Sequence, residues 1–149
     1  MISKILIPTD GTKASKKALD YAIGLSKQTK ASLIILGVVD KGDFVTQAFP
    51  IDAAAIHLSR PVEDYLGQMV EGDVINAEKQ CKKKGIKPDT VIRSGHPVEE
   101  IVKEAKRSKS DLIIIGSHGK GAIESAVLGS VTYGLLHKNA KYPVLVIRG

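Results

Sequence analysis

Five short apolar runs alternate along this chain with longer stretches of helical periodicity. The runs are Lys4–Pro8, Ser32–Val39, Asp89–Arg93, Asp111–Ile115 and Val144–Arg148. Leu112-Ile113-Ile114-Ile115 has no polar alternation, which is how strands read when a parallel sheet buries both of their faces. Between the runs lie four helical patterns. One starts at an N-cap at Thr12 and runs to about Thr29, with Ala18, Leu19, Ala22 and Leu25 on one face. The second spans about Val62–Lys84 and ends at Gly85; Val62, Leu66, Met69, Val70, Val74, Ala77 and Cys81 recur every three or four residues. The third opens at Pro97, carries acids near its start and Lys106-Arg107 near its end, and stops at about Ser108. The fourth covers Val131–Lys138. Strict strand–helix alternation selects an α/β fold. The expectation is one domain over residues 1–149, a doubly wound (Rossmann-like) five-stranded parallel sheet with helices on both faces. Asp40–Arg60 interrupts the pattern. It is too long for an ordinary connection and too apolar for a plain linker. A short helix, a folded-over lid and a mobile loop all fit it.

Sheets of this kind bind ligands beyond the carboxyl ends of their strands. Three stretches fall there: Pro8-Thr9-Asp10, Val38-Val39-Asp40, and the loop that starts at Gly116. The loop reads Gly116-Ser117-His118-Gly119-Lys120-Gly121, and Gly129-Ser130 then opens a helix that continues with Val131. A helix start presents unpaired N–H groups and the positive end of a dipole, so it suits an anion. Glycines let phosphate oxygens approach the backbone. The N–H groups of Gly119, Ser130 and Val131 would hold phosphates. Ser130 could cap the helix or offer its hydroxyl to the anion. His118 and Lys120 could add charge or simply be solvated, and the glycines could serve only a tight turn. Two known phosphate motifs fail here. Gly116 and Gly121 have P-loop spacing, but Ala122-Ile123 replace the lysine and hydroxyl. Glu124 stands where a dinucleotide fingerprint needs its third glycine.

What remains is Gly116, two residues, Gly119, nine residues, then Gly129-Ser130. This spacing resembles the nucleotide-binding signature of the universal stress protein family, in its ATP-binding branch. Ile5-Leu6-Ile7-Pro8-Thr9-Asp10-Gly11-Thr12 resembles that family's first strand and turn, and Tyr142-Pro143-Val144-Leu145-Val146-Ile147 its last strand. The resemblance implies a ribose contact for Asp10, whose competing role is to bond its own turn. It implies adenine readout by the main chain of Val38, which could equally be a plain strand residue. The implied nucleotide site comprises Pro8, Thr9, Asp10, Val38, Gly116, Ser117, His118, Gly119, Gly129, Ser130 and Val131. The implied ligand is ATP or another adenine nucleotide, with Mg2+ or Mn2+ held through the phosphates and not by protein. The family also implies a homodimer built through the terminal strand, Val144–Arg148. Family members often carry histidine where this chain has Gly37, so the packing beside the base departs from the pattern.

Composition narrows the remaining classes. The net charge is +6, but aromatics make up only 4%. The lysines are dispersed, so a nucleic-acid role is disfavoured and there is no stacking platform for single strands. No apolar run reaches membrane-spanning length. Met1 leads straight into a strand, and the single cysteine excludes an internal disulfide framework; cytoplasm is the expected location. His57, His96, His118 and His137 have no metal-ligand spacing. Cys81 falls on a core-directed face. Ser117 beside His118 suggests a nucleophile and base, but loop neighbours seldom face each other, so no catalytic residue is assigned. The reading is an ATP-binding regulator or sensor with at most slow hydrolysis and an unknown protein partner. A slow ATPase or nucleotide-dependent enzyme, and an interaction module without nucleotide, are the alternatives.

Overall fold

The computed structural model describes residues 1–40, 60–119, 128–139 and 141–149. In chain order the elements are β1 (Lys4–Pro8), α1 (Lys13–Thr29), β2 (Ser32–Val39), α2 (Arg60–Lys83), β3 (Asp89–Ser94), α3 (Pro97–Ser108), β4 (Leu112–Gly116), α4 (Ser130–Lys138) and β5 (Val144–Ile147). They fall where the sequence periodicity puts them, with ends shifted by a residue or two. The expectations for Lys41–Ser59 lie outside the described residues.

The five strands pair in the order β3-β2-β1-β4-β5, and every pairing is parallel. β1 is the centre: Ile5, Leu6 and Ile7 have no exposed surface. Its alternate side chains feed two cores, because successive residues of a strand point to opposite faces. Ile5 and Ile7 join Leu33, Ile35, Leu112 and Ile114 under α1 and α2, through Ala18, Leu19, Ala22, Val74, Ala77 and Cys81. Leu6 joins Ile34, Leu36, Ile113 and Ile115 under α3 and α4, through Ile101, Ala105 and Leu135. Helices therefore cover both faces, which is why the strands read as unbroken apolar runs. Cys81 is fully buried, and burial, with Glu78 and Asp20 adding to it, pushes its thiol up to about 11. It packs as the helical spacing expects.

Three details fix how the elements end. Asp111 sits outside β4 because its carboxylate turns toward the start of β1. It accepts from Ser3 N–H (2.8 Å), Ser3 Oγ (2.8 Å) and Lys4 N–H (2.9 Å). These bonds, the Ser3 hydroxyl first, hold it below the usual aspartate range. Gly85, at φ +80, lets the Ile86 N–H reach back to the Cys81 carbonyl at 3.0 Å and close α2. β5 forms one edge of the sheet, and all four of its residues are partly exposed. Among the described residues no helix is long and apolar enough to cross a membrane.

Candidate functional site

The carboxyl ends of β1 and β4 lie side by side at the middle of the sheet, where the strand order reverses. Beyond β1, the Thr9 N–H donates to the Leu36 carbonyl of β2 at 2.9 Å. Asp10 then makes the turn. Its Oδ1 accepts from the Thr12 N–H at 3.0 Å and from Thr12 Oγ1 at 2.6 Å. Thr12 Oγ1 in turn accepts from the Ser15 N–H at 3.3 Å and caps α1. Gly11 passes through φ +77, and a Cβ on it would run into the Asp73 carboxylate of α2.

The loop after β4 meets this turn from the other side. A Cβ on Gly119 would lie 2.8 Å from Asp10 Oδ2, so a side chain there would displace the carboxylate. A Cβ on Gly116 would lie 2.8 Å from the Ala14 carbonyl carbon in the first turn of α1. Gly129 completes the cradle. A Cβ on it would stand 3.1 Å from Gly119 N and 3.1 Å from His118 Cα. Its own N–H donates to the Ser117 carbonyl at 2.7 Å. The glycines of the sequence motif are thus packed backbone against backbone.

Gly129, not Ser130, occupies the N-cap position of α4, and no side chain caps that helix. The capping role considered for Ser130 is therefore overturned. Ser130 is already the first helical residue, and it is exposed. Val131 follows it, half-buried. Thr132 was missed from the sequence. Its hydroxyl, 2% exposed, donates to the Gly116 carbonyl at 2.7 Å and pins α4 to the end of β4. A small β-branched hydroxyl residue in the first turn of a helix was the available signal.

Ser117 and His118 also depart from expectation, because they do face each other. Ser117 Oγ and His118 Nδ1 are 3.0 Å apart. The Gly149 N–H donates to Ser117 Oγ at 3.3 Å, and Ser117 N–H donates to the Ile147 carbonyl at 2.8 Å. Val38 stands apart from this cluster. It lies near the end of β2, paired with Arg93 and packed on the α3/α4 side. Beside it, a Cβ on Gly37 would lie 2.6 Å from Val70 Cγ1 and 2.7 Å from Val74 Cγ2. Glycine at this position lets α2 close down on the strand where a histidine would hold it off. Pro8 ends β1 next to Leu36. Lys120 lies outside the described residues.

A sequence model of the Universal stress protein family matches residues 1–148. The chain belongs to the universal stress protein family. It is 33% identical over 148 residues to the universal stress protein MJ0531 of Methanocaldococcus jannaschii, covering 99% of this chain and 83% of that protein. The solved structure of MJ0577, another universal stress protein of that organism, superimposes with a TM-score of 0.81 at 30% identity, covering 100% of this chain and 97% of that one. A universal stress protein of Archaeoglobus fulgidus, solved in complex with dAMP, has the same fold with a TM-score of 0.69 at 15% identity, over 99% of this chain and 98% of that one. The family's five-stranded parallel sheet, with helices on both faces, is the architecture described above.

Proposed function

We propose that this stress protein binds an adenine nucleotide, ATP foremost, at the carboxyl ends of β1, β2 and β4, and acts as a nucleotide-responsive regulator or sensor. The observation that carries the reading is the uncapped start of α4 behind the Gly119–Gly129 backbone contact. Among the described residues no side chain caps this helix start, and Gly119 and Gly129 beside it have no Cβ to fend off an anion. The N–H groups of Gly119, Ser130 and Val131, with the exposed Ser130 hydroxyl, take the phosphates. Each charge-assisted hydrogen bond of this type contributes about 1.5–3 kcal/mol. A few suffice for micromolar affinity, about 8 kcal/mol net. Asp10, whose Oδ1 accepts from Thr12, takes the ribose hydroxyls. The main chain of Val38 reads the adenine edge. A family member solved with dAMP supports the adenine class.

Among the described residues no three His, Cys, Asp or Glu side chains gather as a metal site. Mg2+ or Mn2+ would therefore arrive on the phosphates. The regulator reading rests on the sequence motif, which supplies phosphate-binding groups and no evident base among the described residues to position an attacking water. A homodimer forms through the half-exposed β5 edge, which invites pairing with a second copy.

The test is the nucleotide content of the purified protein, released by denaturation and identified by mass, followed by titration calorimetry with ATP and magnesium. Adenine nucleotide near one per chain, or micromolar binding of added ATP, is expected. A protein that carries none and binds none overturns the reading and leaves the interaction module.

A further inference from the structure

The last carbonyl of β4 has an unusual partner. The peptide between Gly116 and Ser117 is planar and trans, so its C=O and N–H point opposite ways. The N–H goes to the Ile147 carbonyl of β5 at 2.8 Å. The C=O therefore faces the β1 side, beyond the last described β1–β4 pair, Leu6 opposite Ile113. Gly116 is buried, and a buried carbonyl has to find a donor. Thr132 supplies it from the first turn of α4, through a hydroxyl bond of 2.7 Å. The next carbonyl is committed to the same helix: Ser117 C=O accepts from the Gly129 N–H, also at 2.7 Å. Two consecutive carbonyls at the end of β4 thus hold the start of α4, one at its N-cap and one at its third residue.

Ser130 and Val131 lie between these two anchors. We infer that Thr132 is a positioning residue for the phosphate site: its hydroxyl makes the second anchor, and so holds the N–H groups of Ser130 and Val131 in place relative to Gly119 before any ligand arrives. The inference rests on the nucleotide reading above. A single bond at Gly129 would leave the helix start free to pivot about it; the bond at Thr132 removes that freedom. Donors held in advance leave less order to be imposed on binding, and affinity rises accordingly. The hydroxyl is the part that matters. Valine has nearly the shape of threonine and cannot donate, whereas serine keeps the donor and loses only the methyl.

Titration calorimetry with ATP and magnesium tests this on the full chain, comparing the unsubstituted protein with Thr132→Val, Thr132→Ser and Ile5→Val. Each is measured well below its unfolding temperature, where circular dichroism shows it folded. Ile5→Val trims the core at the amino end of β1, so it lowers stability without touching α4; its affinity should match that of the unsubstituted protein. Thr132→Val should bind about three- to tenfold more weakly, and Thr132→Ser should recover most of that loss. Should valine prevent folding, Thr132→Ala also lacks the hydroxyl and carries the same expectation. Full affinity in a folded variant without the hydroxyl overturns the inference, as does a Thr132→Ser that binds no better. Equal weakening in Ile5→Val overturns it too, because affinity would then follow stability and not position. If the unsubstituted protein binds no ATP, the nucleotide reading falls and the positioning role falls with it; if it binds and the Thr132 variants bind alike, the positioning role falls alone.

Discussion

Three helices start near the carboxyl end of the sheet, and they start differently. α1 is closed by its own side chains: Thr12 caps it, and Asp10 holds Thr12. α3 has no side-chain cap, but Pro97 removes one orphan donor and Glu99 and Glu100 put negative charge in its first turn. α4 has a glycine at its N-cap, no side-chain cap and no acid in its first turn. The same dipole is thus satisfied in α1, countered in α3 and left open in α4. Helix starts are common, and a dipole alone does not mark a site. What distinguishes α4 is that neither its N-cap residue nor its first turn supplies a group that would neutralise it.

The contrast can be broken from either side. The largest effect is expected from Gly129→Val, whose side chain would enter the 3.1 Å gaps to Gly119 N and His118 Cα. Losing two phosphate hydrogen bonds weakens ATP binding about a hundredfold or more; calorimetry measures it, with circular dichroism confirming the fold. Converting α4 into a likeness of α3 is the sharper test. Ser130→Glu places an acid in the exposed first turn, so ATP affinity drops about tenfold or more while thermal stability holds or rises by a few tenths of a kcal/mol. An affinity that ignores the new charge would mean the phosphates lie elsewhere.

Thr132→Val strands the Gly116 carbonyl and loosens α4 from β4. Denaturant titration should show a loss of about 1–3 kcal/mol. Thr12→Ala opens the closed start, α1, and should cost about 1 kcal/mol of stability with little change in ATP affinity. The smallest effect belongs to the opposite end of the sheet. The folded protein holds Asp111 below its ordinary range, so its contribution is present above the unfolded aspartate value and fades as pH falls through the folded one. Asp111→Asn should therefore lower stability at neutral pH, have its smallest effect at the acid end, and flatten the acid limb of a stability–pH curve.

The fold was legible because each element announced itself locally. The apolar strands, the Thr12 cap, Pro97 at the start of α3 and Gly85 after α2 all act within a few residues of where they stand in sequence. Much of the site was legible for the same reason, since a glycine marks a place where something comes close. Which partner comes close was not legible. Asp10 meeting Gly119, Ala14 filling the space over Gly116, and Thr132 bonding the Gly116 carbonyl all depend on β1 and β4 being neighbours. Of the two roles open to Ser130, the cap fails because the helix begins one residue earlier than its periodicity shows. Ser117 and His118 meet because the loop is fastened to β5, which a local reading of two adjacent residues does not contain.

Gly37 constrains what this sequence can become. Val70 and Val74 occupy the volume that any side chain at residue 37 would need. A histidine cannot be introduced at this position by one substitution, because Val70 and Val74 of α2 stand in its place. A viable route would first trim Val70 and Val74, passing through an intermediate with a cavity beneath α2, and only then enlarge residue 37. The three positions are therefore coupled: enlarging residue 37 alone forces Val70 and Val74 aside, and trimming those two alone leaves a cavity.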